Sequence, residues 1–238
     1  MTSPDPDQAG AFFGRRKGKA LRAGQERLVT HLLPRLRVDP ADPLSGLEVF
    51  DDLRLEIGFG GGEHLASEAR AHPNTGFIGC EPYLNGMAKL LAVVDGEGLQ
   101  NVRVWDDDVT RLLPRFPDAA FDRISILYPD PWPKRRQRKR RLVSDETLAD
   151  LARILRPGGT LRFASDIDDY IGWVLVRALR SPDFRWTAQG PDDWRRPWDG
   201  WPGTRYEAKA VREGRVPSYL TFERVAARTS NPVRSNQV

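Results

Sequence analysis

From Leu53 onward the chain alternates short apolar runs with longer stretches in which apolar residues recur every three or four positions. Short runs bounded by turn residues read as buried strands, and the three-to-four spacing reads as amphipathic helix. Strands are predicted over DLRLEIG (52–58), GFIGCE (76–81), NVRVWDDD (101–108), FDRISILY (121–128) and TLRFASD (160–166), with FRWTA (184–188) and SYLTFERV (218–225) closing the series. Helices are predicted over 62–71, 84–94, 145–155 and 167–179, the third of them ended by Arg156-Pro157-Gly158-Gly159. Upstream, a basic segment from Phe12 to Arg27 runs into a helix that Pro34 should stop near Leu33. Strands alternating with helices mean βαβ units, hence a doubly wound α/β fold with a mostly parallel sheet. In such sheets ligands bind outside the carboxyl ends of the strands, so chemistry is sought there. The expected organisation is a flexible basic extension with a helix over 1–50, one domain over 51–226 and a disordered tail over 227–238.

Composition narrows the function classes. The 238 residues carry 37 Lys and Arg against 33 Asp and Glu, a net charge of +4, and the positive charge is strongly clustered. Local positive patches favour polyanions, nucleic acid first. The single cysteine, Cys80, excludes an intrachain disulfide and a cysteine-built zinc site. No apolar run approaches the roughly 20 residues a membrane span needs, and the N-terminus lacks a secretory signal. A cytoplasmic protein with no metal and no membrane partner is expected. Monomer and homodimer are both compatible with the sequence.

Three successive predicted strands end in acid. The first ends Glu56-Ile57-Gly58-Phe59-Gly60-Gly61-Gly62. Its glycines let a ligand approach the backbone, and a carboxylate two positions before Gly58 suits a cationic, amine-bearing ligand better than a phosphate. The second ends in Glu81, where a carboxylate can accept both hydroxyls of a ribose. The third ends in Asp106-Asp107-Asp108, any one of which can accept from an adenine amino group. Together they point to an adenosyl ligand with a cationic tail. The ordered set resembles the class I S-adenosylmethionine methyltransferases. That resemblance implies a seven-stranded sheet with one reversed strand, with Glu56 near the methionine amine, Glu81 on the ribose and Asp107 on the adenine edge.

The fourth strand runs into Tyr128-Pro129-Asp130-Pro131-Trp132-Pro133-Lys134 and then Arg135 to Arg141, interrupted only by Gln137 among the basic residues. Three prolines in five residues stiffen the loop and remove backbone donors. A rigid carboxylate at Asp130 can accept from N1 and N2 of guanine, and Trp132 can stack on a base. So dense a run of positive charge finds its natural partner in phosphates. It has basic residues on every face, so no packing against the core is expected of it. Arg15, Arg16, Lys17, Lys19 and Arg22 extend the basic character upstream, Ser165-Asp166 ends the fifth strand, and Thr204-Arg205-Tyr206-Glu207 forms a polar loop near the C-terminus.

In this order, PDPWPKRRQRKRRL, the strand-end SD and TRYEAKAVREGR resemble the bacterial tRNA (guanine-N7-)-methyltransferases over about residues 50–225. The resemblance implies methylation of guanine N7 at position 46, in the variable loop of tRNA, with S-adenosylmethionine as donor. It implies that Asp130 is catalytic and faces the cofactor. It also implies that Lys134, Asp166 and Thr204, Arg205, Tyr206 and Glu207 bind substrate, and that Arg136, Arg138, Lys139, Arg140 and Arg141 contact RNA. Gln137 stands where that family often has histidine, and Ser165 where it often has threonine. Two other classes share parts of the pattern. A non-catalytic RNA-binding protein would not need acids at three strand ends, and a small-molecule transferase would leave KRRQRKRR without a role.

Overall fold

The computed structural model describes residue 14 and residues 16–226. The expected disorder of both tails, and Arg15, lie outside the described residues. Seven strands form one sheet in the order β3-β2-β1-β4-β5-β7-β6. They are β1 (Asp52–Ile57), β2 (Thr75–Cys80), β3 (Val102–Trp105), β4 (Phe121–Leu127), β5 (Leu155–Ser165), β6 (Phe184–Trp186) and β7 (Ser218–Arg224). All neighbouring pairs are parallel except those made by β7, which runs antiparallel to both β5 and β6. The seven-stranded, doubly wound expectation with one reversed strand therefore holds.

This topology locates the site. From β1 the chain steps outward through β2 to β3, then returns across the sheet to β4 on the other side of β1. Connections diverge at the carboxyl ends of β1 and β4 and leave a crevice there. Helices α3 (Glu63–Ala71) and α4 (Leu84–Glu97) follow β1 and β2, α5 (Asp145–Ile154) precedes β5, and α6 (Asp168–Arg180) follows it. One core gathers Leu55, Ile57, Ile124, Ile126, Phe163 and Tyr170 with α5 and α6. A second gathers Phe59, Leu65, Met87, Leu90 and Val104 beneath α3 and α4.

Several details differ from expectation or refine it. The N-terminal helix α1 (Ala23–His31) ends before Pro34, which sits in the first turn of a second helix, α2 (Leu33–Leu36), where a missing N–H costs nothing. Within the expected 1–50 extension, residues 28–38 pack against the domain. Leu28, Val29, Leu32 and Leu36 pack on the second core, Leu33 is buried in it, and the Val38 N–H donates to the Val104 carbonyl at 2.8 Å. Helix α5 ends at Ile154, one residue before the expected end, and Arg156–Gly159 lie within β5, where the pairing is irregular between Phe121–Leu155 and Arg123–Thr160. The polar TRYE stretch is the start of a helix, α8 (Arg205–Arg212), preceded by the one-turn α7 (Asp192–Arg195). Among the described residues, no helix is long and apolar enough to cross a membrane.

Candidate active site

A cavity of about 920 Å³ opens at the β1/β4 crevice, walled by the glycine turn, Glu81, Asp107, Asp108, the PDPW corner, part of the basic run and the start of α8. The turn after β1 is built by its glycines. Gly58, Gly60 and Gly62 have φ of 76°, 60° and 79°, a left-handed conformation that side chains resist. A further glycine matters as much. A Cβ on Gly86 of α4 would lie 2.0 Å from the Gly60 carbonyl oxygen, so only glycine lets that helix nest against the turn.

Glu81 is buried at the cavity wall and already partnered. The Gly60 N–H donates to its Oε2 at 2.7 Å and the Tyr83 N–H to its Oε1 at 2.9 Å. Burial pushes its carboxyl above the usual range in spite of these bonds, and the Asp130 charge adds to the push. Each oxygen keeps a lone pair for a ligand hydroxyl. Of the acidic triplet, Asp106 pairs with Arg37 at 2.6 Å and does not line the cavity. Asp107 lines it and pairs with Arg16 at 2.7 Å and Arg111 at 3.4 Å. Burial raises the Asp107 carboxyl, but hydrogen bonding from the Asp108 amide and from Arg16 outweighs it and holds the group low. Asp108 also lines the cavity and caps the turn at 109–111, accepting from the Thr110 N–H at 3.0 Å. Glu56 is absent from the wall. It is buried, with its Oε2 2.6 Å from His64 Nδ1.

Asp130 stands at the opposite lip, facing the same cavity as Gly58 and Gly60. It makes no hydrogen bond or ion pair with another described residue. Its surface is open at the rim, yet the surrounding walls push its carboxyl above the usual range. The residues around it are strained. Tyr128 (φ 50°) and Trp132 (φ 40°) occupy the left-handed region, which costs a bulky side chain about 1–3 kcal/mol and is held only by surrounding structure.

The basic run does not behave as one unit. Residues Arg135–Arg140 form a short 3-10 helix. Lys139 lies exposed on the cavity lip, and Arg140 stacks 5.0 Å from the Trp132 ring centroid. Lys134 and Arg136 are exposed away from the cavity wall, and Arg138 pairs with Asp169 at 2.6 Å. Arg141 departs from the expectation that the run stays off the core: the residue borders the cavity, but its side chain is wholly buried. TRYE divides as well. Arg205 and Tyr206 reach the cavity, each with an atom 3.2 Å from where a Gly60 Cβ would stand. Thr204 and Glu207 form a capping box at the start of α8, with the Glu207 N–H donating to Thr204 Oγ1 at 3.1 Å and the Thr204 N–H to Glu207 Oε2 at 3.2 Å. Glu207 also accepts from Trp201 Nε1 at 2.7 Å and from the Tyr219 hydroxyl. Asp166 pairs with Arg215 at 2.5 Å and does not line the cavity.

Residues 51–218 match the sequence profile of a family described as "Putative methyltransferase". Over 221 residues the chain is 56% identical to the tRNA (guanine-N(7)-)-methyltransferase of Chelativorans sp. (strain BNC1), covering 90% of this chain and 95% of that one. Over 230 residues it is 53% identical to the protein of the same name from Bradyrhizobium diazoefficiens, covering 94% and 98%. The chain belongs to the tRNA (guanine-N7-)-methyltransferase family. The family's fold is shared more widely. A 16S rRNA methyltransferase, KamB, superposes with a TM-score of 0.54 at 18% identity, over 80% of this chain and 95% of that one. A 30S ribosomal A1408 methyltransferase from an uncultured bacterium gives 0.53 at 15%, over 79% and 95%.

Sequence reasoning missed His64, Gly86 and the aromatic cluster of Trp198, Trp201 and Tyr219, whose ring centroids lie 5.5–5.9 Å apart. Asn-Gly at the start of the α4 pattern was a visible signal for Gly86. The cluster joins side chains from a loop and a distant strand, and no local periodicity marks it.

Proposed function

We propose that this protein methylates N7 of guanine 46 in the variable loop of tRNA, using S-adenosylmethionine. The observation that carries the reading is Asp130, without a hydrogen-bond or ion-pair partner among the described residues and fixed by a strained proline corner in the same cavity as the glycine turn. The residues present fit the cofactor. A Cβ built on Gly58 meets nothing within 4 Å, which leaves open space over the turn, and two carboxylates stand nearby. Glu81 would take the ribose hydroxyls, Asp107 the adenine edge, and Gly58 and Gly60 the close approach of the chain. Glu56 would act from behind the turn on the cationic amine, with His64 fixing its orientation. When bound, the cofactor supplies a methyl group on a positively charged sulfur.

Guanine N7 already carries a lone pair, so no residue has to remove a proton. The work of the chain is alignment, with reacting atoms held about 3–3.5 Å apart. Asp130 would accept from guanine N1 and N2, which turns the opposite N7 edge toward the glycine turn. Its fixed negative charge would also favour the positive charge that the purine gains. Trp132 and Tyr206 would stack on exposed bases, and Arg205, Lys139 and Arg136 would meet phosphates. Lys134 and Asp166 lie off the cavity wall and would contact the RNA beyond the target base. The test is incubation with unmodified tRNA and labelled S-adenosylmethionine, followed by borohydride–aniline cleavage. Strand scission at position 46 is expected. Label incorporated without scission there would reject N7 of that guanine as the acceptor.

A further inference from the structure

Arg141 closes the basic run, but its guanidinium is spent inside the protein. Its Nε donates to the Pro131 carbonyl at 2.8 Å, its Nη1 to the Asp169 carbonyl at 3.4 Å, and its Nη2 pairs with the Asp169 carboxylate. The same planar group lies 4.7 Å from the Tyr170 ring centroid and 5.0 Å from that of Trp173. Two residues on, α6 grips the chain again: Trp173 Nε1 donates to the Val143 carbonyl at 2.7 Å, and the Val143 N–H to the Tyr170 hydroxyl at 3.4 Å. A phosphate reaches this guanidinium only if α6 separates from the corner.

The corner needs such an anchor. Pro129, Pro131 and Pro133 have no N–H, so the segment has few amides of its own with which to tie itself down. Tyr128 and Trp132 are held in left-handed conformations on either side of Asp130. Pro131, whose carbonyl Arg141 takes, is the residue directly after Asp130. We propose that Arg141 is a positioning residue, which locks the PDPW corner to α6 and thereby aims the Asp130 carboxylate over the glycine turn, and that it makes no RNA contact. The inference rests on the proposed role of Asp130. An arginine suits the task because its rigid fork serves the carbonyl and the carboxylate together while its plane stacks on two rings, which a lysine cannot do.

The test uses the full-length protein with tRNA and S-adenosylmethionine. Arg141→Lys keeps the charge and loses the fork. Its kcat should fall about 10–100-fold, the cost of a small misplacement of a reacting group. Its tRNA Kd and the salt dependence of that Kd should stay as in the wild type, and amide exchange in the 128–134 peptide should accelerate. Unchanged kcat, or weakened tRNA binding with a shallower salt slope, would overturn the proposal. Asp169→Asn is the second variant, because Asp169 is exposed and its replacement leaves the arginine buried in place. It should lower kcat, read at saturating tRNA because the substitution also releases Arg138, and a normal kcat there counts against the proposal even if Arg141→Lys does not fold. Asp130→Ala separates the two claims. If Asp130 aligns the base, adding Arg141→Lys to Asp130→Ala costs little further turnover. If Asp130→Ala alone turns over normally, its assigned role fails while the exchange result still reports on the anchor.

Discussion

At the scale of single residues, partners decide what a charged group does. Asp130 and Asp166 both end or follow strands at the active edge, yet Asp166 pairs with Arg215 while Asp130 has no such partner among the described residues. Asp130→Ala should therefore leave cofactor binding intact and lower kcat by about 10²–10³, the usual cost of removing one preorganised electrostatic group beside a reacting one. Equilibrium binding of labelled cofactor, set beside single-turnover rates, checks this. The pH dependence has a definite sign. The Asp130 carboxyl is raised by its surroundings, and it must be ionised to accept from guanine. Turnover should fall with acid through a midpoint above 3.8, the ordinary aspartate value, and the pH–rate profile of kcat measures that midpoint.

Elements carry the next set of consequences. Thr204 and Glu207 hold α8 so that Arg205 and Tyr206 face the glycine turn. Thr204→Ala removes an N-cap and should cost about 0.5–2 kcal/mol. With a chain of this size that lowers Tm by a few degrees. It should also raise the KM for tRNA more than it lowers kcat, which steady-state kinetics will separate from simple instability. In the 3-10 segment, Arg135, Arg136 and Lys139 are exposed, and the last two are among the residues proposed to meet phosphates. Replacing both by alanine should reduce the slope of log K against log salt by about 0.7–0.9 for each phosphate that the protein then leaves unneutralised, read by filter binding over a salt series. An unchanged slope would place the RNA elsewhere on the surface.

At the scale of the whole molecule, His64 links β1 to the aromatic cluster beside α8. It pairs with Glu56 of β1 and lies 5.0 Å from the ring of Trp201, which in turn donates to Glu207 of α8. Burial lowers the His64 pKa, but attraction and hydrogen bonding from Glu56 outweigh it, and the net direction is upward. A histidine raised in the folded state contributes stability that is complete below its unfolded value, near 6.5, and is lost as pH rises through the folded value. Thermal melts should show a decline in Tm across that interval in the wild type, and a smaller one in His64→Gln. Equal declines would mean that the pair is not protonated.

The sequence by itself determined the order of strands and helices, the glycine turn, the acids at strand ends and the PDPW corner with its basic run. Each of these depends on a local rule of spacing, backbone freedom or charge density that a linear reading can apply. Only the tertiary structure decided which members of the motifs face the cavity. Arg141 and Lys139 are two positions apart, alike in charge and both on the cavity border, but the side chain of Arg141 is buried against α6 and that of Lys139 is exposed. Thr204 and Arg205 are adjacent, but one caps a helix and the other approaches Gly60. The division comes from the partners each side chain meets: Asp169 of α6 and Pro131 for Arg141, and Trp201 and Tyr219 for the Glu207 end of the cap, contacts that follow from how these segments fold together and not from residue type.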